Sequence, residues 1–234
     1  MAPPDLVLLC GLLCDRTVWQ RQAEALSANA RVHVHDFRGF DRIEAMAGQV
    51  LETAPERFAL AGHSMGARVA LEVVRRAGDR VERLALLDTV VHGIREGERD
   101  QRLRLVELAR RCGMRALAQA WLPPMVHPAR ADLDAMPELV AMVERMSPDI
   151  FAGQVEALLR RPDAARVLEA IDCPTLVAAG SDDLWSPPEQ HRGIAARIRG
   201  ARLRLFPGAG HMAPWETPEA VTAALVEWLD WPAG

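Results

Sequence analysis

Six short apolar runs, each closed by a turn rich in glycine or polar residues, set the frame of this chain: residues 6–10, 32–36, 58–61, 84–87, 175–179 and 203–206. Runs of this length without polar alternation suit strands buried on both faces. Helical patterns separate most of them, at 19–30, 67–76, 189–199 and 218–229. In the last of these Val221, Ala224, Leu225, Trp228 and Leu229 recur at helical spacing, and Thr217 followed by Pro218 reads as N-cap and first helical residue. Strand and helix in alternation predict an α/β fold, a mostly parallel sheet of about six strands with helices on both faces.

The alternation fails once. Between about residues 91 and 170 only helical patterns occur, at 100–112, 114–121, 138–146 and 149–160, the last with Ser147 as cap and Pro148 behind it. The expectation is a core of residues 1–90 and 171–234, interrupted by a helical cap at 91–170. With 234 residues, half of them apolar, the chain can bury one sizeable core. A net charge of -4, with arginines scattered among acids, offers no electrostatic case for nucleic acid or an anionic membrane surface. The chain contains neither Lys nor Tyr, which excludes a lysine Schiff base and a phenolic acid or base. The opening "MAPPDLVLLCGLLCD" lacks a basic leader, and no stretch approaches the ~18 apolar residues of a membrane span, so a soluble cytoplasmic protein is expected. Cys10, Cys14, Cys112 and Cys173 lack the spacing of a metal or redox site and read as buried small hydrophobes.

Chemistry gathers at the ends of the apolar runs. In "FALAGHSMGARVALEVV", Ser64 lies between Gly62 and Gly66 on a turn from strand to helix, where a sharp corner would hold its hydroxyl in the open. Ligands of open parallel sheets bind beyond the carboxyl ends of the strands. Those ends carry Gly11-Leu12-Leu13, then Ser64, then Asp88, then Gly180-Ser181-Asp182-Asp183, and finally Gly208-Ala209-Gly210-His211. A serine, an acid and a histidine thus follow one another along one sheet edge, with Asp88, Asp182 and Asp183 all candidates for the acid.

The stretches "LLCGLLCDRTVW", "DFRGFD", "GHSMGAR", "GSDDLWSPPE" and "GAGHMAPWETPEA" carry a resemblance to the α/β-hydrolase-fold serine hydrolases, and the chain is similar to their small bacterial carboxylesterases and enol-lactonases. The resemblance implies Ser64 as nucleophile, His211 as general base and then acid, and Asp183, selected by its spacing from Gly180 and Pro187, as the residue that orients His211. It places the oxyanion hole at the backbone N–H groups of Leu12 and Met65. It further implies a small ester or lactone substrate, an acyl-enzyme, no cofactor and no metal. The same residues could serve C–C bond hydrolysis, a cofactor-free lyase step or perhydrolysis, and a binding protein without turnover is the reading from another class. Serine rather than aspartate at the turn argues against the dehalogenase and epoxide-hydrolase branches.

Two departures stand out. Cys10-Gly11 replaces the His-Gly of many relatives, and only five residues precede the first run, so a sheet trimmed to about six strands is expected. His33, His35, His63, His92, His127 and His191 read as strand, turn or helix-start residues without a chemical role. Trp19, Trp121, Trp185 and Trp215 read either as aromatic packing or as the lining of a substrate pocket.

Overall fold

Each apolar run becomes a strand: β1 (Asp5–Leu9), β2 (Arg31–His35), β3 (Phe58–His63), β4 (Val81–Leu87), β5 (Thr175–Gly180) and β6 (Arg202–Phe206). They are described by a computed structural model covering residues 3–232. All neighbours pair in parallel, in the order β2-β1-β3-β4-β5-β6. The central strands β1, β3 and β5 are buried along their whole length, as their continuous apolar sequences require. The edge strands β2 and β6 keep exposed arginines at Arg31, Arg202 and Arg204, which suits positions where one side has no pairing partner.

Among the described residues nine α-helices fill the intervals: α1 (Gln20–Leu26), α2 (Ile43–Thr53), α3 (Met65–Ala77), α4 (Glu98–Trp121), α5 (Pro137–Glu144), α6 (Pro148–Leu159), α7 (Pro188–Arg197), α8 (Ala213–Glu216) and α9 (Pro218–Leu229). Helices α1 and α9 pack together on one face, while α2 packs on α3 on the other and α7 lies against β5 and β6. Helices α4, α5 and α6 form the cap. It leaves the sheet after β4 and returns at β5, which is the neighbouring strand. Gly113, at φ 84°, breaks α4 where two helical patterns meet, and Ser147 caps α6 by accepting from Ile150 N–H at 3.1 Å.

Several local expectations need correction. The pattern at 19–30 resolves into a 3-10 turn, Arg16–Trp19, followed by the short α1, because Asp15 accepts from Thr17 N–H at 2.9 Å and starts the chain turning early. Helix α2 was not among the expected helices, although Ile43, Met46, Ala47 and Val50 form its buried stripe. Thr217 stands at the N-cap of α9 with Pro218 in its first turn, as expected, but its hydroxyl donates back to Ala213 O at 3.2 Å and makes no capping bond. Cys10 and Cys14 are buried small side chains, but Cys112 is exposed on α4 and Cys173 is only partly covered. None of the described helices is long and apolar enough to cross a membrane.

Strand β1 sits between β2 and β3, so the chain reverses its direction of travel across the sheet there. A crevice opens at the carboxyl end of such a reversal. It is bordered by the loop after β1 and the turn after β3.

Candidate active site

Among the described residues, only Leu13, Ser64 and Asp88 are non-glycine residues with positive φ, at 58°, 55° and 49°. They follow β1, β3 and β4 respectively, so the backbone strain, of order 1–3 kcal/mol per residue, collects on one sheet edge. The Ser64 corner is tight because two glycines let backbones meet. A Cβ at Gly62 would lie 2.5 Å from Ala67 N, and one at Gly66 would strike Leu9 O. Ser64 N–H donates to Leu87 O at 2.9 Å, and the Thr89 hydroxyl donates to Ser64 O at 3.0 Å, which pins the turn from both sides.

The structure brings Ser64, His211 and Asp183 into one hydrogen-bonded line. Ser64 Oγ lies 2.8 Å from His211 Nε2, and His211 Nδ1 lies 2.8 Å from Asp183 Oδ2. A carboxylate can only accept, so Nδ1 carries the hydrogen and the Nε2 lone pair faces the serine hydroxyl. Asp183 Oδ1 accepts from Trp185 N–H at 2.8 Å and Ser186 N–H at 2.9 Å. Burial alone would push this carboxyl up, but His211 and the two amides hold it below its ordinary range.

The other two acids stand differently. Asp88 is fully buried, accepts from Gly180 N–H at 2.8 Å and touches no cation, so burial and the neighbouring Asp183 charge push its carboxyl well above the usual range. Asp182 points outward to the Ser181 hydroxyl.

The loop after β1 passes directly over Ser64: a Cβ at Gly11 would lie 3.3 Å from Ser64 Cβ. Leu12 N–H meets no acceptor among the described residues, and Met65 begins α3, where an N–H has no partner within the helix. Two unengaged amides thus flank the serine. Leu13 N–H donates to Gln154 Oε1 of the cap at 2.8 Å, and His211 N–H donates to Met125 O at 2.8 Å.

His63, expected to be a tolerant turn position, is fully buried and lies edge-on to Trp19. Its Nε2 donates to His211 O at 2.7 Å, so it braces the backbone of the histidine beside Ser64. Burial pushes its imidazole down to about 3, which keeps it neutral. His191 is buried too, and its Nε2 accepts from Thr89 N–H at 2.9 Å. Neither role has a local sequence signal beyond adjacency to Ser64, because the partners are 148 and 102 residues away.

A cavity of about 530 Å³ opens over Ser64 and His211, walled by Trp185, Arg102 and Arg161, and a smaller recess beside it reaches Leu12, Trp121 and Met125. Trp121 and Trp185 therefore line the site. Trp19 does not, being sealed in the core with its Nε1 donating to Leu9 O at 3.1 Å. Trp215 faces a separate surface groove and donates to Glu138 at 3.0 Å. Among the described residues there is no cluster of three or more His, Cys, Asp or Glu suited to a metal ion.

A serine on a strained strand-to-helix corner of a parallel sheet, facing a histidine from the last loop under a helical cap, is the layout of the α/β hydrolases. The model of the alpha/beta hydrolase family matches residues 6–224, and the chain belongs to that family as a hydrolase. It is 30% identical to RutD of Caulobacter sp. (strain K31), provisionally named a carbamate hydrolase, over 96% of this chain and 90% of that one. The fold superposes on the malate-bound thermophilic esterase of Thermogutta terrifontis with a TM-score of 0.84, at 31% identity over 97% of this chain and 89% of that one. The enol-lactonase of Burkholderia xenovorans LB400 gives 0.86, at 30% identity over 99% and 93%.

Proposed function

We propose that the protein cleaves a small carboxylic ester or lactone through an acyl-enzyme on Ser64. The observation that carries this reading is the line of hydrogen bonds from Ser64 through His211 to Asp183, open to a cavity on the Ser64 side. His211 Nε2 takes the hydroxyl proton as Ser64 Oγ attacks the carbonyl, and the carbonyl electrons move onto oxygen. The N–H groups of Leu12 and Met65 receive that oxyanion, each such donor being worth roughly 3–4 kcal/mol in related chemistry. The imidazolium then returns the proton to the leaving alkoxide. Water, deprotonated by the same histidine, attacks the acyl-serine and releases the acid and the free enzyme. Asp183 keeps the imidazole in the required tautomer throughout, and nothing in the scheme calls for a cofactor. Likeness to RutD favours a second substrate for the same steps, a carbamate.

The test is labelling by a fluorophosphonate followed by turnover of 4-nitrophenyl butyrate and of a 4-nitrophenyl carbamate. Wild type should label once and release nitrophenol, and Ser64→Ala should do neither. Ester turnover by Ser64→Ala above about a thousandth of wild type would remove Ser64 as the nucleophile. Labelling without any release of nitrophenol would instead favour a binding protein.

A further inference from the structure

The wall of the Ser64 cavity carries more positive charge than the protein itself neutralises. Five arginines line it, and three of them, Arg68, Arg102 and Arg161, carry side chains that are largely buried. Three carboxyl residues, Asp88, Glu96 and Glu98, also line it, and of these Glu98 is the one paired with the buried arginines. Burial opposes ionisation of Glu98, but Arg161 and Arg102 hold its carboxyl down to about 2, so it is charged.

The three arginines are not equivalent. Arg161 is saturated: it clamps both Glu98 oxygens at 2.8 Å and donates to the carbonyls of His92, Leu158 and Gly93. Arg68 donates to the carbonyls of Val90 and Pro162. Arg102 spends only its Nε–H, on Glu98 Oε1 at 2.8 Å. Its Nη1 and Nη2 groups, with four N–H donors between them, meet no acceptor among the described residues. The side chain is 14% exposed, and it lines both the large chamber and the narrow recess that contains Leu12, Ser64 and His211.

A guanidinium that is largely desolvated and half used is an unfavourable arrangement unless an anion completes it. Glu98 meets Arg102 only at Nε–H and is shared with Arg161, so one carboxylate serves two guanidiniums. We propose that the ester or lactone accepted by Ser64 carries a second, free carboxylate, and that Arg102 binds it through its Nη groups and thereby selects the substrate. This rests on the hydrolase reading given above and narrows it to half-esters of dicarboxylic acids and to lactones bearing an acid group. Arg102 is a binding group here and takes no part in the transfer of protons.

The experiment compares the monomethyl esters of succinic, glutaric and adipic acids with their dimethyl counterparts, following acid release at constant pH. At least one monoester should exceed its dimethyl partner in kcat/KM by about 10- to 100-fold, the yield of a charge-assisted pair in a partly screened site. In Arg102→Gln that ratio should fall to within about threefold of one, and Arg102→Lys should retain an intermediate value because it keeps the charge without the planar fork. Free glutarate should also slow fluorophosphonate labelling of wild-type Ser64, and glutaramide, which is uncharged and not an ester, should not at equal concentration. This arm needs no variant and decides the matter should Arg102→Gln fail to fold. Equal rates for monoesters and diesters in wild type, an unchanged ratio in Arg102→Gln, or no protection by glutarate would overturn the assignment of Arg102. In each of those cases turnover of the dimethyl esters and labelling of Ser64 would leave the hydrolase reading standing. Absence of both labelling and ester turnover would remove the two together.

Discussion

Asp88 and Asp183 are two buried carboxyls whose surroundings push them in opposite directions, and that contrast makes the acid assignment testable at single atoms. Asp183 faces His211 and two amides, whereas Asp88 faces one amide and no cation. Asp183→Asn should keep a hydrogen bond yet favour the wrong imidazole tautomer, so kcat should fall by as much as ~10⁴-fold. Asp88→Asn keeps the shape and an oxygen to accept from Gly180 N–H, and its kcat should stay within about tenfold of wild type. Measuring both variants side by side checks the pair, and collapse of Asp88→Asn alone would reverse the roles. At this scale the sequence displayed Ser64, His211 and Asp183 because each sits in a loop of constrained spacing. It concealed His63 and Arg102. Their significance comes from what they meet across the fold, and neither a histidine beside a turn serine nor one arginine in an arginine-rich helix signals that by itself.

Strands β1, β3 and β5 were legible to within two residues because burial on both faces forces uninterrupted apolar runs, whereas β4 begins three residues before its run and β2 and β6 alternate with polar residues. Helices were legible where a stripe and a cap coincided, as in α6 with Ser147 and Pro148. Helix α2 escaped because it has no side-chain cap and its short stripe follows an irregular loop. The contacts between elements could not be read at all, and Gln154 is the clearest case. Fully buried on α6, it accepts from Leu13 N–H and donates to Phe37 O at 3.2 Å, tying the cap to the strained turn beside Ser64. Gln154→Leu keeps the volume but leaves both backbone groups unpaired, which should cost about 2 kcal/mol of stability. It should also lower kcat more than it raises KM, since the Leu12 amide rides on the same turn. Urea unfolding and steady-state kinetics on one preparation test both statements, and an unchanged kcat would show that the turn holds itself.

Across the whole molecule, buried neutral histidines make stability depend on pH. Burial pushes His191 down to about 4 from an ordinary value of 6.5, so as pH falls the unfolded chain takes the proton first and the folded state loses ground. His191→Gln removes that loss while retaining an acceptor for Thr89 N–H. The stability gap between wild type and this variant should therefore change in the variant's favour by about 1.4 kcal/mol for each pH unit between 6.5 and 4. Urea titrations at pH 6.5, 5.5 and 4.5 measure it, and a gap independent of pH would mean that folding leaves the proton affinity of His191 unchanged. The cap raises a different matter, since it departs from β4 and rejoins at the adjacent β5, an arrangement that lets its length vary with little effect on the sheet. Yet two main-chain amides of the core, Leu13 N–H and His211 N–H, find their acceptors in it, at Gln154 and Met125. Transplanting the cap of another hydrolase onto this core would thus transmit more than a new pocket shape. Only chimaeras whose donor segment supplies an acceptor at both places should retain a reactive serine, and among otherwise folded grafts the rate of fluorophosphonate capture should divide along that line.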